Sequence, residues 1–350
     1  MKVFAFVLKN YDMKNLKFLF IGCSLFLGFS CNQSSKIEIG YLNWNGENEM
    51  AMNTQNSFKQ KADKLGVNVD YKDAHNNEVE QFKQAMELID NGCKVLVIKP
   101  VNSILAAKIV RIAHEKGVKV IANDQLIRNC PLDYYVTFDS HKVGEYMARE
   151  ALVQKPKGTY ILIWGDKVDD NADIVKSGVL KVLQPQIDNG NIKILYSNYI
   201  EAWSLENAEN EMDMIIRLSK SDTKIDAVIA SCDDMARGAI HVLKKYNFTN
   251  NTFVSGQNAD LESLKMILKK EQSITIAKSA KTLGSALAVL AVNLTKSIND
   301  KLGLGVKAST FNGLSQVPTI YFDPVVVNSS NLENVILSDG FINLKDISNN

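Results

Sequence analysis

The sequence predicts an α/β fold of two lobes, each a doubly wound parallel sheet (Rossmann-like) with helices on both faces. Short apolar runs alternate with amphipathic segments of helical period from about residue 37 onward. This alternation starts again near residue 134, and no low-complexity linker separates the two halves. Several chain crossings between the lobes, rather than one flexible tether, agree with that continuity.

The first half of the chain alternates strands and helices in a βαβαβ order, which is typical of a parallel sheet. Strands are indicated by apolar and β-branched runs, and helices by apolar residues that recur every three to four positions. The third helix has a capping side chain, Asn102 or Ser103, at its start. The predicted strands are Ile37–Leu42, Val67–Tyr71, Val95–Lys99 and Val118–Asn123, and the predicted helices are Asn48–Leu65, Glu78–Asn91 and a third ending near Glu115.

The second half repeats the pattern and predicts a second parallel sheet. Its helices again follow strands after short polar loops. The predicted strands are Tyr134–Phe138, Tyr160–Ile163, Ile192–Tyr196, Ala227–Ala230, Val254–Ser255 and Ile274–Ala277. The predicted helices are Ser140–Leu152, Asn171–Leu183, those after Trp203, Asp233 and Asp260, and Thr282–Asn299.

The first thirty residues have the pattern of an export signal. Lys14 and Lys17 precede a short apolar run over residues 18–29, and the small Ser30 precedes Cys31 and a polar tract. The run is short for a bilayer span. Residues 1–30 are therefore predicted to be a lipoprotein-type signal peptide, with Cys31 lipidated and the rest held at a bacterial membrane surface, outside the cytoplasm. The alternatives are an ordinary signal peptide, an uncleaved anchor, lipidation at Cys23 and a true start at Met13.

Composition and motifs exclude several classes of function. The chain has 40 basic and 39 acidic residues, so it lacks the positive excess of nucleic-acid-binding proteins. Beyond Cys31 only Cys93, Cys130 and Cys232 remain, and we expect three free thiols. The histidines show no metal-ligand spacing, and no phosphate-binding glycine loop is present. We therefore expect no metal, no cofactor and no enzyme activity, although pattern alone leaves a two-carboxylate hydrolase open.

Polar side chains follow the predicted strands at the ends where parallel sheets bind ligands. Carboxylates, amides and an ammonium that converge on a cleft suit a neutral polyhydroxyl ligand, because each hydroxyl both donates and accepts hydrogen bonds. Trp203 adds a flat apolar surface against which sugar C–H groups can stack. The polar residues are Asp124, Asp169, Asn171, Cys232, Asn258 and Lys278.

Collinear segments from about Ile37 to Gly340 carry a family resemblance. They are VLVIKP (Val95–Pro100), FDSHKVG (Phe138–Gly144), Lys181–Gly190, WSLENA (Trp203–Ala208), KIDAVIA (Lys224–Ala230), SGQNADL (Ser255–Leu261), FNGLSQVP (Phe311–Pro318) and Val335–Phe341. Through these segments the chain resembles the periplasmic sugar-binding proteins of ABC importers, in particular their D-xylose-binding branch. The resemblance implies the type I periplasmic binding protein fold, with a three-crossing hinge.

The resemblance also implies binding roles at matching positions. Asp124 matches the family's acid at the end of the fourth strand, and Lys278 matches a cation near the hinge. Asp169 and Asn171 match polar sugar contacts of the second lobe, and Trp203 matches the stacking aromatic. Structural roles remain open beside these: a turn cap for Asp124, a helix cap for Asp169, a core position for Trp203 and a solvated charge for Lys278.

Five positions depart from the family pattern. Met50 and Ala51 stand where the family has an Arg-Trp pair, and Gln125 stands where an arginine follows the acid. Cys232 replaces an asparagine and Asn258 an aspartate. Met50, which could instead be a core residue, Gln125, Cys232 and Asn258 are still predicted to line the pocket. A monosaccharide-like ligand is expected, and the particular sugar is left open.

The resemblance further implies lobe boundaries. The first lobe would be residues 37–138 with about 281–312, and the second 139–280 with about 313–345. The chain would cross between them near Phe138–Ser140, Lys278–Lys281 and Asn312–Gln316.

The implied function is that of an exported, monomeric substrate-binding protein that presents a pentose or hexose to a membrane ABC permease. One alternative is a sensor that presents the bound sugar to a membrane kinase or chemoreceptor. A sugar-responsive repressor would need an N-terminal helix-turn-helix, but signal-like residues occupy that end. A secreted glycosidase would be revealed by turnover of a glycoside.

Overall fold

The computed structural model describes residues 37–219, 223–248, 251–296, 308–340 and 347. Ile37–Asn350 form one compact unit. The predicted signal peptide and Cys31 lie outside the described residues, and so does the predicted helix end at Asn299. Throughout the described ranges, no helix combines the length and the apolar character that a bilayer span requires.

Strands and helices alternate along most of the described chain. The strands are β1 (Ile39–Asn43), β2 (Val69–Asp73), β3 (Val95–Ile98), β4 (Lys119–Asn123), β5 (Tyr134–Phe138), β6 (Gly158–Trp164), β7 (Ile192–Tyr199), β8 (Ala227–Ala230), β9 (Phe253–Gln257), β10 (Ile274–Ala277), β11 (Ala308–Phe311), β12 (Gln316–Phe322) and β13 (Val325–Val327). The helices are α1 (Glu49–Leu65), α2 (Glu78–Asp90), α3 (Ser103–Glu115), α4 (Ser140–Gln154), α5 (Asp170–Asp188), α6 (Leu205–Leu218), α7 (Asp233–Lys245), α8 (Leu261–Leu268), α9 (Ala280–Thr295) and α10 (Leu332–Asp339). Asn102 caps α3, because its side chain accepts hydrogen bonds from the backbone N–H groups of Ile104 and Leu105.

The described strands form two sheets in which most neighbours run parallel. The first has the order β11-β12-β5-β4-β3-β1-β2, and the second β13-β10-β9-β8-β6-β7. Among the described strands, only the edge strands β11 and β13 run antiparallel to their neighbours. Buried apolar clusters cover both faces of each sheet, and alternate residues of β3, such as Val97 and Ile98, enter opposite clusters. The predicted fold class, two doubly wound lobes, is confirmed.

The chain passes between the two sheets three times within the described residues. It crosses after β5, between β10 and α9, and between β12 and β13 at residues 323–324. β12 pairs in parallel with β5, and Ile320 lies opposite Val136. The prediction that residues 313–345 belong to the second lobe is therefore wrong for β12. The predicted crossing near Asn312–Gln316 is wrong with it.

β12 joins the first sheet because of where its apolar side chains pack. Backbone hydrogen bonds are chemically alike in both sheets, so a local apolar pattern does not reveal which sheet a strand joins. Val317 and Ile320 are buried in the two clusters of the first lobe, and this packing selects β5 as the neighbour. At the hinge, the N–H of Asp139 donates to the carbonyl of Phe322 over 3.0 Å, which holds two crossings side by side.

Candidate functional site

One cavity between the lobes lies where strand ends of both sheets meet. It has a volume of about 650 Å³ and is bounded by residues that follow β3 and β4 in the first lobe and β9 and β10 in the second. We call it the lysine cavity, after Lys99 and Lys278. Four of the sequence-predicted residues line it. They are Met50, Asp124, Asn258 and Lys278.

A second cavity between the lobes, of about 920 Å³, is lined by three further predicted residues, Gln125, Asp169 and Asn171. We call it the arginine cavity, after Arg111 and Arg128, which also line it. Asp124 and Gln125 are adjacent in sequence, yet they line different cavities.

An ion pair joins the lobes beside the arginine cavity. Arg128, on the loop after β4, donates from Nε to a carboxylate oxygen of Asp170 over 2.6 Å. Asp170 is the first residue of α5 in the second lobe. Both side chains are about half exposed, so solvent screening limits what the pair contributes to holding the lobes together.

The backbone around Asp124 is fixed by three hydrogen bonds. Asp124 follows β4 in the left-handed region, at φ 63°. Its N–H donates to the carbonyl of Val136 over 2.8 Å. Its carbonyl accepts from the hydroxyls of Tyr135 and Thr137, each over 3.1 Å. These contacts hold the peptide rigidly and direct the carboxylate into the lysine cavity, where Lys99 Nζ lies 2.7 Å from Oδ2.

Charges of both signs meet at this point. Burial raises the pKa of the Asp124 carboxyl, but the ammonium groups of Lys99 and Lys278 outweigh burial and lower that pKa to about 2. Burial lowers the pKa of Lys278, and the carboxylates of Asp124 and Asp169 oppose that shift. Burial raises the pKa of Asp169, and nearby Asp124 adds to the shift. Closely spaced donors and acceptors of this kind suit hydroxyl groups, which do both.

Asp169 has the capping role that the sequence left open beside a ligand role. Its Oδ1 accepts from the N–H of Asn171 over 2.9 Å, at the start of α5. The side-chain oxygen of Asn171 accepts from the hydroxyl of Ser140 over 3.2 Å. Both residues also line the arginine cavity, so their structural contacts and their exposure to the cleft coexist.

Trp203 and Cys232 lie together, and neither is among the residues that line the two cavities. The thiol of Cys232 contacts the carbonyl of Trp203 over 3.7 Å. Burial raises the pKa of this thiol to about 12, so the thiol is neutral and is a weak hydrogen-bond donor. The Trp203 ring lies over Gly165, where an added Cβ would be 2.1 Å from Cη2. The stacking role of Trp203 stays a prediction.

The remaining predicted residues differ in what they touch. Met50, in the first turn of α1, lines the lysine cavity and also packs against the first-lobe core. Ala51, next to it, is buried. Asn258 follows β9 at φ 110°, and its N–H donates to the carbonyl of Ile276 over 3.0 Å. Hence Asn258 is held by β10, the strand that leads to Lys278.

Similarity to known proteins agrees with this two-lobed cleft. The family model described as "periplasmic binding protein domain" matches residues 39–298. The chain belongs to this family. It is 36% identical over 284 residues to the D-xylose-binding periplasmic protein of Escherichia coli K12, a match that covers 81% of this chain and 84% of that one.

A further relative and a solved structure are also similar to this chain. The chain is 28% identical to the multiple sugar-binding periplasmic receptor ChvE of Rhizobium radiobacter, over 82% of this chain and 85% of that one. The crystal structure of an ABC transporter solute-binding protein from Clostridium phytofermentans with bound β-D-glucose superposes with a TM-score of 0.77 at 27% identity. That match covers 88% of this chain and 99% of the other.

Lys99 lines the lysine cavity, but the sequence analysis did not predict it as a site residue. The available signal was its position directly after β3, which corresponds to the position of Asp124 after β4. Trp44, directly after β1, lines the same cavity. Ligands bind beyond the carboxyl ends of parallel strands, so examining the residue after every strand of the first sheet would have found both.

Proposed function

We propose that this chain is the extracytoplasmic substrate-binding component of an ABC importer for a monosaccharide, which binds between the two lobes. The observation that carries the proposal is the lysine cavity, where charged side chains from both lobes surround Asp124. The D-xylose-binding relative and the glucose-bound solute-binding protein support the class of ligand. A D-xylose-like sugar is the expected ligand, and a membrane permease the expected partner.

Closure of the lobes on the sugar would follow from the position of these groups. Asp124 and Met50 belong to the first lobe, whereas Asn258 and Lys278 follow strands of the second. A sugar that contacts both sets makes all its hydrogen bonds only when the lobes are together, so binding favours the closed arrangement. A closed, sugar-loaded form would then differ in shape from the empty protein, and a permease can recognise that difference.

The proposed binding residues form two groups in relation to the cavities. Met50, Asp124, Asn258 and Lys278 would contact the sugar in the lysine cavity, and Gln125, Asp169 and Asn171 would contribute from the arginine cavity. The Trp203 ring packs on Gly165 and Cys232 contacts the Trp203 carbonyl, so both would approach the ligand from the side of the second lobe. Lipid anchoring through Cys31 would keep the protein at the membrane, and it stays a prediction from the sequence.

A thermal-unfolding panel of pentoses, hexoses and polyols tests the proposed function. A sugar that binds only the folded protein raises Tm, and at 100 times its Kd it stabilises the fold by about 2.7 kcal/mol. We expect a clear increase in Tm with at least one monosaccharide. A shift with D-xylose alone would mean that the five departures preserve xylose specificity. The absence of any shift with a folded sample would contradict the proposal.

Substituting Gly165 with alanine tests whether Trp203 belongs to the site. The new Cβ would overlap the Trp203 ring, so the ring must move, while all polar ligand groups stay unchanged. We expect at least a tenfold loss of affinity for the sugar identified by the panel, measured by calorimetry. Ser177→Ala is the control, because Ser177 is exposed on α5 and is not among the residues that line either cavity, and both variants are first checked for folding. Unchanged affinity in Gly165→Ala would remove Trp203 from the site.

A sensory role is the second candidate, and the relative named as a multiple sugar-binding receptor favours it. The pocket would serve a transporter and a sensor equally, because the two functions differ only in the membrane partner. Sugar uptake by membrane vesicles that contain the protein and its permease would support the importer. Sugar-dependent activation of a membrane kinase or chemoreceptor without uptake would support the sensor.

A further inference from the structure

Lys99 occupies a fixed position at the end of β3. Its N–H donates to the carbonyl of Leu42 over 3.1 Å, and its carbonyl accepts from the Gln81 amide over 2.9 Å. The side chain is only 16% exposed. A long lysine side chain loses considerable rotamer freedom when it is held in this way, so its ammonium is preorganised before any ligand arrives.

Lys99 lines the lysine cavity, with its ammonium beside the carboxylate of Asp124. In the described part of the chain, its one hydrogen-bond acceptor is Asp124 Oδ2, at 2.7 Å. An ammonium has three N–H donors, so two remain for a ligand or for water. The ring of Trp44 lies beside it, with Nζ 5.8 Å from the ring centroid. Among the described residues, the buried Nε1 of Trp44 also has no hydrogen-bond partner.

The other polar residues near Asp124 do not duplicate this donor. Gln125, the next residue in sequence, lines the arginine cavity instead. Lys278 approaches Asp124 from the second lobe. Among the described residues that line the lysine cavity, Lys99 is the cation of the first lobe, and its ammonium lies next to the carboxylate of Asp124.

We propose that Lys99 is a ligand-contacting, specificity-determining residue, and that Lys99 and Asp124 together bind two adjacent hydroxyl groups of the sugar. This inference rests on the proposed function. The 2.7 Å between Nζ and Oδ2 places a donor and an acceptor side by side, as a vicinal diol requires. Ionised partners make the stronger hydrogen bonds, so a sugar that lacks either hydroxyl is discriminated against.

Calorimetry on Lys99→Met tests the inference, because methionine keeps the length of the side chain and removes the charge. The probe is D-xylose or D-glucose, whichever binds the wild type more tightly, or the tightest sugar of the thermal panel if neither binds. We expect Kd to increase at least tenfold. Lys94→Met is the matched control, since Lys94 precedes the same strand at its opposite end, is exposed and pairs with Glu38. It should bind as the wild type does.

Monodeoxy derivatives of the same sugar separate direct contact from a merely structural role. If Lys99 contacts a hydroxyl, the derivative that lacks this hydroxyl should bind Lys99→Met and the wild type with Kd values within about threefold. A lysine that only positions Asp124 would act through the hydroxyl that Asp124 binds. The derivative insensitive to Lys99→Met would then be the same one that is insensitive to Asp124→Asn, and that result would overturn the inference. Unchanged affinity of Lys99→Met for the parent sugar would overturn it as well.

Two further outcomes keep the inference separate from the proposed function. A folded wild type that binds no sugar of the panel overturns the proposed function and this inference together. A wild type that binds, with Lys99→Met unaffected, overturns this inference alone. If Lys99→Met does not fold, the Kd values of the same derivatives are measured with Lys99→Arg. The inference again requires that the loss of affinity disappears for the derivative that lacks the hydroxyl bound by Lys99.

Discussion

Replacing Asp124 with asparagine is expected to weaken sugar binding at least tenfold, about 1.4 kcal/mol. Asparagine keeps the shape of the side chain and tolerates the left-handed backbone at φ 63°, so the change removes the charge alone. An ionised acceptor makes hydrogen bonds about twice as strong as a neutral one. In addition, Lys99 and Lys278 would lose the carboxylate that now neutralises them. Calorimetry with the tightest sugar of the panel measures the loss.

Asp90→Asn is the matched control, because Asp90 is exposed at the end of α2 and lines neither cavity. It should leave the affinity unchanged. Equal affinities of Asp124→Asn and wild type would show that the sugar does not bind at the lysine cavity. Asp124→Ala would be harder to interpret, since alanine at positive φ adds backbone strain of about 1 kcal/mol.

The same variant has a signature in the pH dependence of stability. The pKa of Asp124 is lowered to about 2 in the folded protein, below its ordinary value of 3.8. The ionised carboxylate therefore stabilises the fold fully above about pH 4, and this contribution is lost as the pH falls towards 2. The free energies of unfolding of wild type and Asp124→Asn should differ most near neutral pH and converge in acid.

Replacing Gly178 with alanine is expected to destabilise the protein by about 2 kcal/mol or more. Gly178 lies where α5 packs against α4, and an added Cβ would be 2.0 Å from the carbonyl oxygen of His141. Gly144 faces α5 in the same manner, with Val175 O at 2.0 Å from its own ideal Cβ. Because both obstacles are backbone atoms, no side chain can rotate away, and the two helices must separate.

Urea unfolding of Gly178→Ala and Ser177→Ala measures this effect. Alanine stabilises an ordinary helix by about 0.5–1 kcal/mol relative to glycine, so a net loss in Gly178→Ala must come from the contact between the helices. Ser177 is exposed one position earlier in α5, and its substitution should change the midpoint little. A Gly178→Ala variant as stable as the wild type would mean that α4 and α5 separate at little cost.

Local patterns were sufficient to predict much of the cleft. Asp124 and Lys278 each follow a buried apolar strand of a parallel sheet, and such ends gather on one side of the sheet. The structure brings both residues, with Asn258 and Met50, to one cavity. For Asp124, Asn258 and Lys278 the prediction needed only the strands and their direction, because chain direction decides which end of a parallel sheet a loop leaves. Met50, in a helix, was predicted through the family resemblance.

The pairing of Lys99 with Asp124 was not available from the same patterns. The register of β3 and β4 sets Ile98 opposite Ala122, which brings the two following loops together. A strand register depends on packing across the sheet rather than on either strand alone. The folded chain was also needed to show that Gln125 lines the arginine cavity and that Trp203 is not among the residues that line either cavity.

The sequence by itself determined the alternation of strands and helices, the two-lobed α/β class and the ends of the sheets where polar residues gather. These features follow from hydrophobic periodicity and capping, which act within about one turn or one strand. Only the tertiary structure decided that β12 joins the first sheet, that Gly144 and Gly178 allow α4 and α5 to touch, and that two lysines flank Asp124. Each depends on contacts between residues far apart in the chain, and close packing, which no local pattern encodes, selects among them.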